Sequence, residues 1–342
     1  MPAIHSGKVL VTGASGYIAV WVLKALLDRG FSVRGTVRSE SKRTVLKEVF
    51  KTYGARLECV IVEDIAKEGA FDRAVVGVDA IAHTASPFHM DADDPDEIIV
   101  PAVQGTVNLL ASTKKQGSRV RRVVLTSSCT AVATPGMEGV TVDERDWNEW
   151  SIREVRTKGR AAHALDKYKA SKTLSERAAW DWYEGQKEGL GWDIVVLNPS
   201  FVLGPWLHKT ESITDLSQSL RHYHSVILEG QMSDELLAGT GTSWVDVRDV
   251  AEAHALAFIE PAVGGERIIV SAQAFKWQDL ILVARKIEGD KIPAGNTSYD
   301  PSKAKHIQVI ADKGRQMLGL KYHTLEETTR HMLHEFKCRG WV

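Results

Sequence analysis

The chain has 342 residues, enough for about two domains or for one large α/β unit with an appended lobe. Its 43 Lys and Arg against 44 Asp and Glu leave a formal net charge of −1, so no charge surplus recruits nucleic acid or an anionic membrane. Hydrophobic residues at 44% and charged residues at 25% exclude a disordered chain, and three cysteines (Cys59, Cys129, Cys338) without a C-x-x-C pair support neither a disulfide framework nor a cysteine zinc site.

The start, Met1 to Gly7, lacks the basic and apolar regions of a signal peptide and runs straight into Lys8-Val9-Leu10-Val11-Thr12. No apolar run is long enough for a membrane span, and reduced cysteines point to a soluble cytoplasmic protein. The spacing predicts strands at Val9–Thr12, Ser32–Val37, Cys59–Val62, Ala80–His83, Val123–Thr126 and Ile194–Leu197. Helices are predicted at Tyr17–Asp28, Ser41–Tyr53, Pro101–Lys115 and Tyr168–Gln186. The strands are apolar on both faces, as in a parallel sheet covered on both sides. The expected fold is therefore α/β, a Rossmann-type doubly wound parallel sheet with a smaller C-terminal substrate lobe. After Pro205 the βαβ rhythm loosens. Residues 1–205 plus about 244–270 read as the dinucleotide-binding domain, and 206–243 plus 271–342 as the substrate-binding lobe.

Val11-Thr12-Gly13-Ala14-Ser15-Gly16-Tyr17-Ile18-Ala19 is a strand end, a glycine turn and a helix start. Gly13 permits the sharp turn, and Gly16 lets a pyrophosphate approach the helix N-terminus. Ser15, Tyr17 and Ile18 complete this cofactor turn. A chain that binds NAD usually ends its second strand in Asp or Glu. Here Val37 is followed by Arg38, with Lys42 four residues on, a cationic pair suited to a 2′-phosphate. That favours NADPH/NADP+ over NADH. Asp64, after the third strand, either accepts from the adenine amino group or caps its own loop.

Tyr168-Lys169-Ala170-Ser171-Lys172 sets a phenol and an ammonium one helical turn apart on one face. A nearby cation is expected to lower the phenol pKa, so that Tyr168 passes a proton to a carbonyl oxygen receiving a hydride. A hydroxyl to hold that oxygen is available at the strand end Thr126-Ser127-Ser128. Tyr-x-x-x-Lys recurs at Tyr183/Lys187 and Tyr299/Lys303. Pro301 interrupts the latter, and the former begins roughly 22 Å further along the helix at 1.5 Å per residue.

These segments together resemble the extended short-chain dehydrogenase/reductase family. Within it the sequence is similar to fungal methylglyoxal/isovaleraldehyde and carbonyl (aldehyde) reductases, and more distantly to plant dihydroflavonol and cinnamoyl-CoA reductases. Further matching segments are Val33-Arg34-Gly35-Thr36-Val37-Arg38, His83-Thr84-Ala85-Ser86-Pro87, Asn198-Pro199-Ser200-Phe201-Val202-Leu203-Gly204-Pro205 and Val245-Asp246-Val247-Arg248-Asp249-Val250-Ala251. The resemblance implies an NADPH-dependent aldehyde or ketone reductase. It makes Ser128 the carbonyl hydrogen-bond donor, Tyr168 the general acid, and Lys172 the partner of both Tyr168 and the nicotinamide ribose. It puts Thr84, Ala85 and Ser86 along the cofactor, Pro199, Ser200 and Val202 beside the nicotinamide, and Asp64 and Ile65 at the adenine. Many relatives anchor a relay water with an Asn where this chain has Ala102. Asn108, six residues along the same helix, is expected on another face.

Phe88, Cys129, Phe201 and Trp206 follow motif segments directly and are the expected substrate wall. Asp143-Glu144 before Trp147 reads as helix capping. Asp246, Asp249 and His254 do not form a metal site, and no metal is expected. Arg119-Val120-Arg121-Arg122 reads as a solvated edge. The expected partner is a small-molecule carbonyl, with no nucleic acid and no membrane, on a monomer or homodimer. Two alternatives share the fold: a nucleotide-sugar epimerase or dehydratase, which usually carries the acid that Arg38 replaces, and a non-catalytic NADPH-sensing protein, which typically lacks the Tyr/Lys pair.

Overall fold

The computed structural model describes residues 3–87, 91–133, 141–208 and 210–341. The first half of the chain forms β1 (Lys8–Thr12), α1 (Tyr17–Asp28), β2 (Ser32–Val37), α2 (Glu40–Val49), β3 (Leu57–Ile61), β4 (Ala80–His83), α3 (Asp96–Gln116), β5 (Arg122–Thr126), β6 (Thr141–Val142), α4 (Glu149–Lys158) and α5 (Ala164–Glu184). There follow β7 (Asp193–Pro199), β8 (Phe201–Leu203), α6 (Gln218–Tyr223), α7 (Asp234–Gly239), β9 (Gly241–Asp246), α8 (Val247–Ile259), β10 (Arg267–Val270), β11 (Gln273–Lys276), α9 (Trp277–Glu288), β12 (Gln308–Val309), α10 (Asp312–Leu318) and α11 (Leu325–Cys338).

Seven strands make one sheet in the order β10-β7-β5-β4-β1-β2-β3. Every pairing in it is parallel. Side chains alternate between two cores. Val9 and Val11 of β1, with Val124 of β5 and Val195 and Leu197 of β7, face α1 and α8. Leu10, Val123, Leu125, Ile194 and Val196 face the opposite side, with Leu109 and Leu110 of α3 and Ala179 of α5. Both faces are buried, which accounts for strands without polar alternation. The expected doubly wound sheet is present, with β10 as a seventh strand that the sequence reading left out.

β11, β9 and β8 form a second, three-stranded sheet, and β12 pairs with β6 in a two-stranded one. A separate core gathers Trp206, Tyr223, Trp244, Phe275, Trp277, Met332 and Phe336. The two cores meet inside β9, where Trp244 joins the second and its neighbour Val245 the first. Leu318 and Leu320, from the C-terminal part of the chain, pack in the first core.

Helix boundaries differ from expectation at two places that matter. α3 begins at Asp96, not at Pro101. Asp96 and Glu97 lie in its first turn, where the helix dipole favours negative charge, and Pro101 falls inside the helix, where it removes one backbone hydrogen bond. α5 begins at Ala164, one turn before Tyr168, with the His163 imidazole capping the Leu165 N–H. Tyr168 is thus embedded in helix. No described helix is long and apolar enough to cross a membrane.

Two histidines lie buried, His83 at the end of β4 and His254 within α8. His254 Nδ1–H donates to the Val250 carbonyl at 2.7 Å, so its Nε2 accepts from the Thr126 hydroxyl at 2.7 Å. Burial pushes His254 down to about 4 and His83 down to about 3. In the folded chain both stay neutral while the unfolded chain takes up protons below about pH 6.5. Stability therefore falls as pH drops from about 6.5 toward 4, by about 1.4 kcal/mol per pH unit for each group. Urea midpoints measured at stepped pH values should decline across this window. His254→Gln should remove its share of the slope, and an unaltered slope would exclude His254 as a contributor.

Candidate active site

The glycine turn after β1 is built for close approach. Gly13 has φ +64°, and a Cβ there would meet the Ala85 Cα and Cβ at 3.0 and 3.1 Å. The Gly13 N–H donates to Thr36 Oγ1 at 3.0 Å and the Ala14 N–H to the Thr36 carbonyl at 2.8 Å, which fixes the turn against β2. That contact requires a glycine in β2, since a Cβ on Gly35 would sit 2.7 Å from the Ala14 Cβ. Gly16 caps α1 without a side-chain acceptor, and the first turn carries no acid. The amides at this end are therefore left to an external anion. Ser15 is half-buried in the turn. Tyr17 turns away, its hydroxyl donating to the Gly204 carbonyl at 2.8 Å, and Ile18 packs against the first core.

Arg38 and Lys42 are exposed just past β2. Neither has an ion pair within the chain among the described residues, whereas Arg43 is paired with Glu40 at 2.7 Å. The charge of Lys42 reaches His208, which burial, and then Lys42 and Arg339, push down to about 4. Asp64 Oδ1 accepts from the Ala66 N–H at 2.9 Å, the loop-cap role. Ile65 lies against Gly105 of α3, where a Cβ would come within 2.7 Å of its Cδ1. Asn108 donates to the Ile65 and Ala66 carbonyls at 3.2 and 2.8 Å and so holds this loop, far from any relay.

Thr12 joins this half of the site to the other. Its Oγ1 accepts from the Thr84 and Ala85 amides at 3.1 and 3.0 Å, and it lies 2.8 Å from His83 Nδ1. With two amides donating to it, the hydroxyl hydrogen is directed at Nδ1, which leaves the proton of neutral His83 on Nε2. His83 Nε2 is buried without a partner among the described residues. A cavity of about 20 Å³ opens there, lined by His83, Thr106, Ser127, Lys172, Ser175 and Glu176, with Ser86 also on its wall. It is the size of one water and rich enough in polar groups to hold it.

Ser128 and Tyr168 meet as expected. Their side chains are hydrogen-bonded, and Ser128 Oγ also accepts from the Thr130 N–H at 3.1 Å. Burial pushes the Tyr168 phenol up to about 12, with the Ser128 bond opposing it. Burial pushes Lys172 down to about 8, with the charge of Glu176 opposing it. The expected lowering of the phenol by Lys172 is not seen: desolvation sets the direction, and the group that opposes it is Ser128. The other two Tyr-x-x-x-Lys pairs are elsewhere. α5 ends at Glu184 before Lys187, and the Tyr299 hydroxyl donates to Asp279 at 2.8 Å.

Pro199 and Ser200 are buried at the end of β7, with the Ser200 N–H donating to the Val270 carbonyl at 3.1 Å. Val202 packs against the first core. Two of the expected wall residues lie in cores instead. Cys129 is buried with Val132, Val142 and Ile269, and its thiol donates to the Asn198 carbonyl at 3.1 Å. Trp206 is 2% exposed, stacked on Trp341 and bonded through Nε1 to Thr210 at 3.1 Å. Phe201 is half-buried against Phe275 and Trp277. Phe88 lies outside the described residues. At Ala102 the backbone carbonyl accepts from both Thr106 and Ser175 hydroxyls at 3.0 Å, so hydroxyls line the seam between α3 and α5 at this position. No cluster of metal-ligating side chains occurs among the described residues. Thr12, His83, Glu176, Asn198 and Arg267 were missed as site residues. Glu176 had a signal, the same four-residue spacing from Lys172 that Lys172 has from Tyr168.

Comparison with known proteins agrees with this architecture. The profile of the NAD dependent epimerase/dehydratase family matches residues 9–271. A ketoreductase of Aspergillus niger is 35% identical over 93% of this chain and 94% of its own length. An NADPH-dependent methylglyoxal reductase of Saccharomyces cerevisiae is 32% identical over 94% and 95%. The solved structure of the yeast methylglyoxal/isovaleraldehyde reductase complexed with NADPH superimposes with a TM-score of 0.83 at 29% identity, covering 98% of this chain and 100% of that one. The chain belongs to the NAD dependent epimerase/dehydratase family, the extended short-chain dehydrogenases/reductases.

Proposed function

We propose that the protein is an NADPH-dependent carbonyl reductase that converts aldehydes or ketones to alcohols. The observation that carries this reading is the Ser128–Tyr168 hydroxyl pair with Lys172 one turn away, on the sheet edge where the glycine turn opens. The NADPH dependence of the methylglyoxal reductase relative and the name of the ketoreductase relative support the same chemistry.

The residues present fit a dinucleotide phosphate. The Gly13 turn leaves backbone where a Cβ would clash, the start of α1 offers uncapped amides, and Arg38 and Lys42 supply positive charge without an ion pair among the described residues. In this reading Arg38, with Lys42, holds the 2′-phosphate. Gly13, Ser15, Gly16, Tyr17 and Ile18 line the pyrophosphate side, Asp64 and Ile65 the adenine side. Thr84, Ala85, Ser86, Pro199, Ser200 and Val202 border the nicotinamide, and Phe88 and Phe201 the substrate.

When bound, NADPH supplies a hydride to the carbonyl carbon. Ser128 holds the carbonyl oxygen by a hydrogen bond. Tyr168, protonated at neutral pH, donates its Oη proton to that oxygen as negative charge develops there. Lys172 stabilises the phenolate that remains and reaches the ribose. The alcohol takes one hydride and one proton, so the Tyr168 proton must be restored from solvent. The water-sized cavity beside Lys172 gives a route that needs no Asn at position 102.

Purified protein mixed with NADPH and a panel of α-keto carbonyls and aromatic aldehydes should consume NADPH. Tyr168→Phe should lower kcat by roughly 10²–10⁴-fold, the range of a lost general acid, with NADPH affinity retained in a fluorescence titration. Turnover at the parental rate in that variant would remove Tyr168 from the mechanism. For the cofactor, Arg38→Ala should raise the KM for NADPH roughly ten- to a hundredfold, the equivalent of one or two charge-assisted bonds, and leave the KM for NADH nearly unchanged. Equal loss with both cofactors would place Arg38 outside the 2′-phosphate site.

A further inference from the structure

One buried carboxylate ties together the elements that carry Ser128, Tyr168 and Lys172. Glu176 is 4% exposed and stands one helical turn beyond Lys172 on the face of α5 that carries the site. Its Oε2 accepts from Ser127 Oγ at 2.5 Å and from Asn198 Nδ2 at 2.7 Å. Its Oε1 accepts from Arg267 Nε of β10. Asn198 also donates to the Ser128 carbonyl at 3.2 Å. The carboxylate thus fixes α5, which holds Tyr168 and Lys172, to the segment that holds Ser128, and to β7 just before Pro199. Arg267 is itself immobilised. Its guanidinium lies 3.7 Å from the Trp147 ring centroid and donates to the carbonyls of Glu144 and Asp146 at 2.9 and 2.5 Å.

We infer that Glu176 is a positioning residue for the reduction, setting the Ser128–Tyr168 contact and holding Lys172 in its ammonium form across the small cavity between them. The inference rests on the carbonyl-reductase reading and names a part of its site. The polar groups that share the cavity with Lys172 include Glu176 of α5, neutral His83 at the end of β4, and Ser127, Thr106 and Ser175. Glu176 is the only one of these with a negative charge, and Arg267 lies behind it. A carboxylate in that place raises the proton affinity of Lys172. Replacing it by a neutral amide should move the loss of activity at alkaline pH to lower pH.

The test compares the full-length enzyme with Glu176→Gln, Glu176→Asp and Ser127→Ala, using NADPH and methylglyoxal from about pH 6 to 10. Glu176→Gln should lower kcat roughly ten- to a hundredfold, keep the Kd for NADPH within about twofold, and shift the alkaline limb down by about half a unit or more. Glu176→Asp keeps the charge but shortens its reach, so it should retain the limb and lose rate. A folded Glu176→Gln enzyme with parental kcat and limb overturns the inference. Where Glu176→Gln does not fold because Arg267 is left unpaired, Ser127→Ala decides the matter. It cuts one link without uncovering a charge, so a several-fold lower kcat with an unmoved limb supports the inference and parental kcat overturns it. A readout free of turnover is the titration of Lys172 by NMR of carbon-13-labelled lysine in the NADP+ complex, assigned with Lys172→Arg. Its pKa should drop in Glu176→Gln, and an unchanged value overturns the inference. A parental enzyme inactive on every carbonyl tested would instead sink the reductase reading, and leave this titration to judge Glu176.

Discussion

The hydroxyl of Thr12 is the joint of the sheet edge. Parallel strands place all their C-terminal ends on one side, and their last amides have no strand to pair with. Thr12 accepts two of them, from Thr84 and Ala85, and directs its own hydrogen at His83. In doing so it holds the glycine turn after β1 against the segment after β4. The Ala85 backbone then comes so near Gly13 that no side chain fits between them. The same bond sets the His83 tautomer, and so directs an N–H toward the cavity beside Lys172. One threonine therefore links the shape of the anion cradle to the electrostatics of the catalytic helix.

Two buried ion pairs brace the frame around this edge. Arg122 is completely buried in β5, yet its guanidinium is fully engaged. It binds Asp193 of β7 through two bonds at 2.7 and 2.8 Å, and the carbonyls of Ala257 and Glu260 at 2.6 and 2.7 Å. Arg267 does the same at the other side of β7, through Glu176 and four backbone or ring partners. A buried pair of this kind adds little net stability over an apolar pair, but losing one partner leaves an unpaired charge at a cost of about 3–5 kcal/mol. Such pairs are better at fixing geometry than at raising stability. That suits their placement, one at the base of the central strands and one at the reacting group.

The repeating parts of the fold were readable in the sequence because period and composition report them directly. Strands of Val, Ile and Ala, apolar on both faces, announce a covered parallel sheet, and the turn Gly13–Gly16 announces its first crossover. What was not readable depended on contacts between distant residues. Arg122 looked like part of a solvated basic run, since nothing local reveals Asp193 seventy-one positions away. Cys129 follows Ser128 directly, but the short turn after Ser128 aims the thiol back into the core at Asn198. Pro101 looked like a helix start because proline favours that position, yet Asp96 and Glu97 had already begun the helix. The phenol of Tyr168 was expected to be acidified by Lys172. Desolvation, which no sequence displays, dominates both groups.

Fold alone does not decide between a reductase and its epimerase relatives. A UDP-glucose 4-epimerase from Bifidobacterium longum shares the architecture at a TM-score of 0.71 and 19% identity, and that likeness carries no chemistry. The local residues do. The end of β2 presents a guanidinium where a ribose-binding carboxylate would stand, and the chain offers that guanidinium no partner among the described residues. The abundance of tryptophan is accounted for by packing. Trp206, Trp244 and Trp277 are buried in the second core, where Trp206 stacks on Trp341 and tilts against Phe336, and Trp277 meets Phe275 edge-on. They determine where the lobe sits, not what it binds. Phe201 follows Ser200 directly and is half-buried at the margin of this cluster, its ring backed by Phe275 and Trp277. A ring backed on two sides in this way is placed by the aromatic core behind it rather than by the loop it follows.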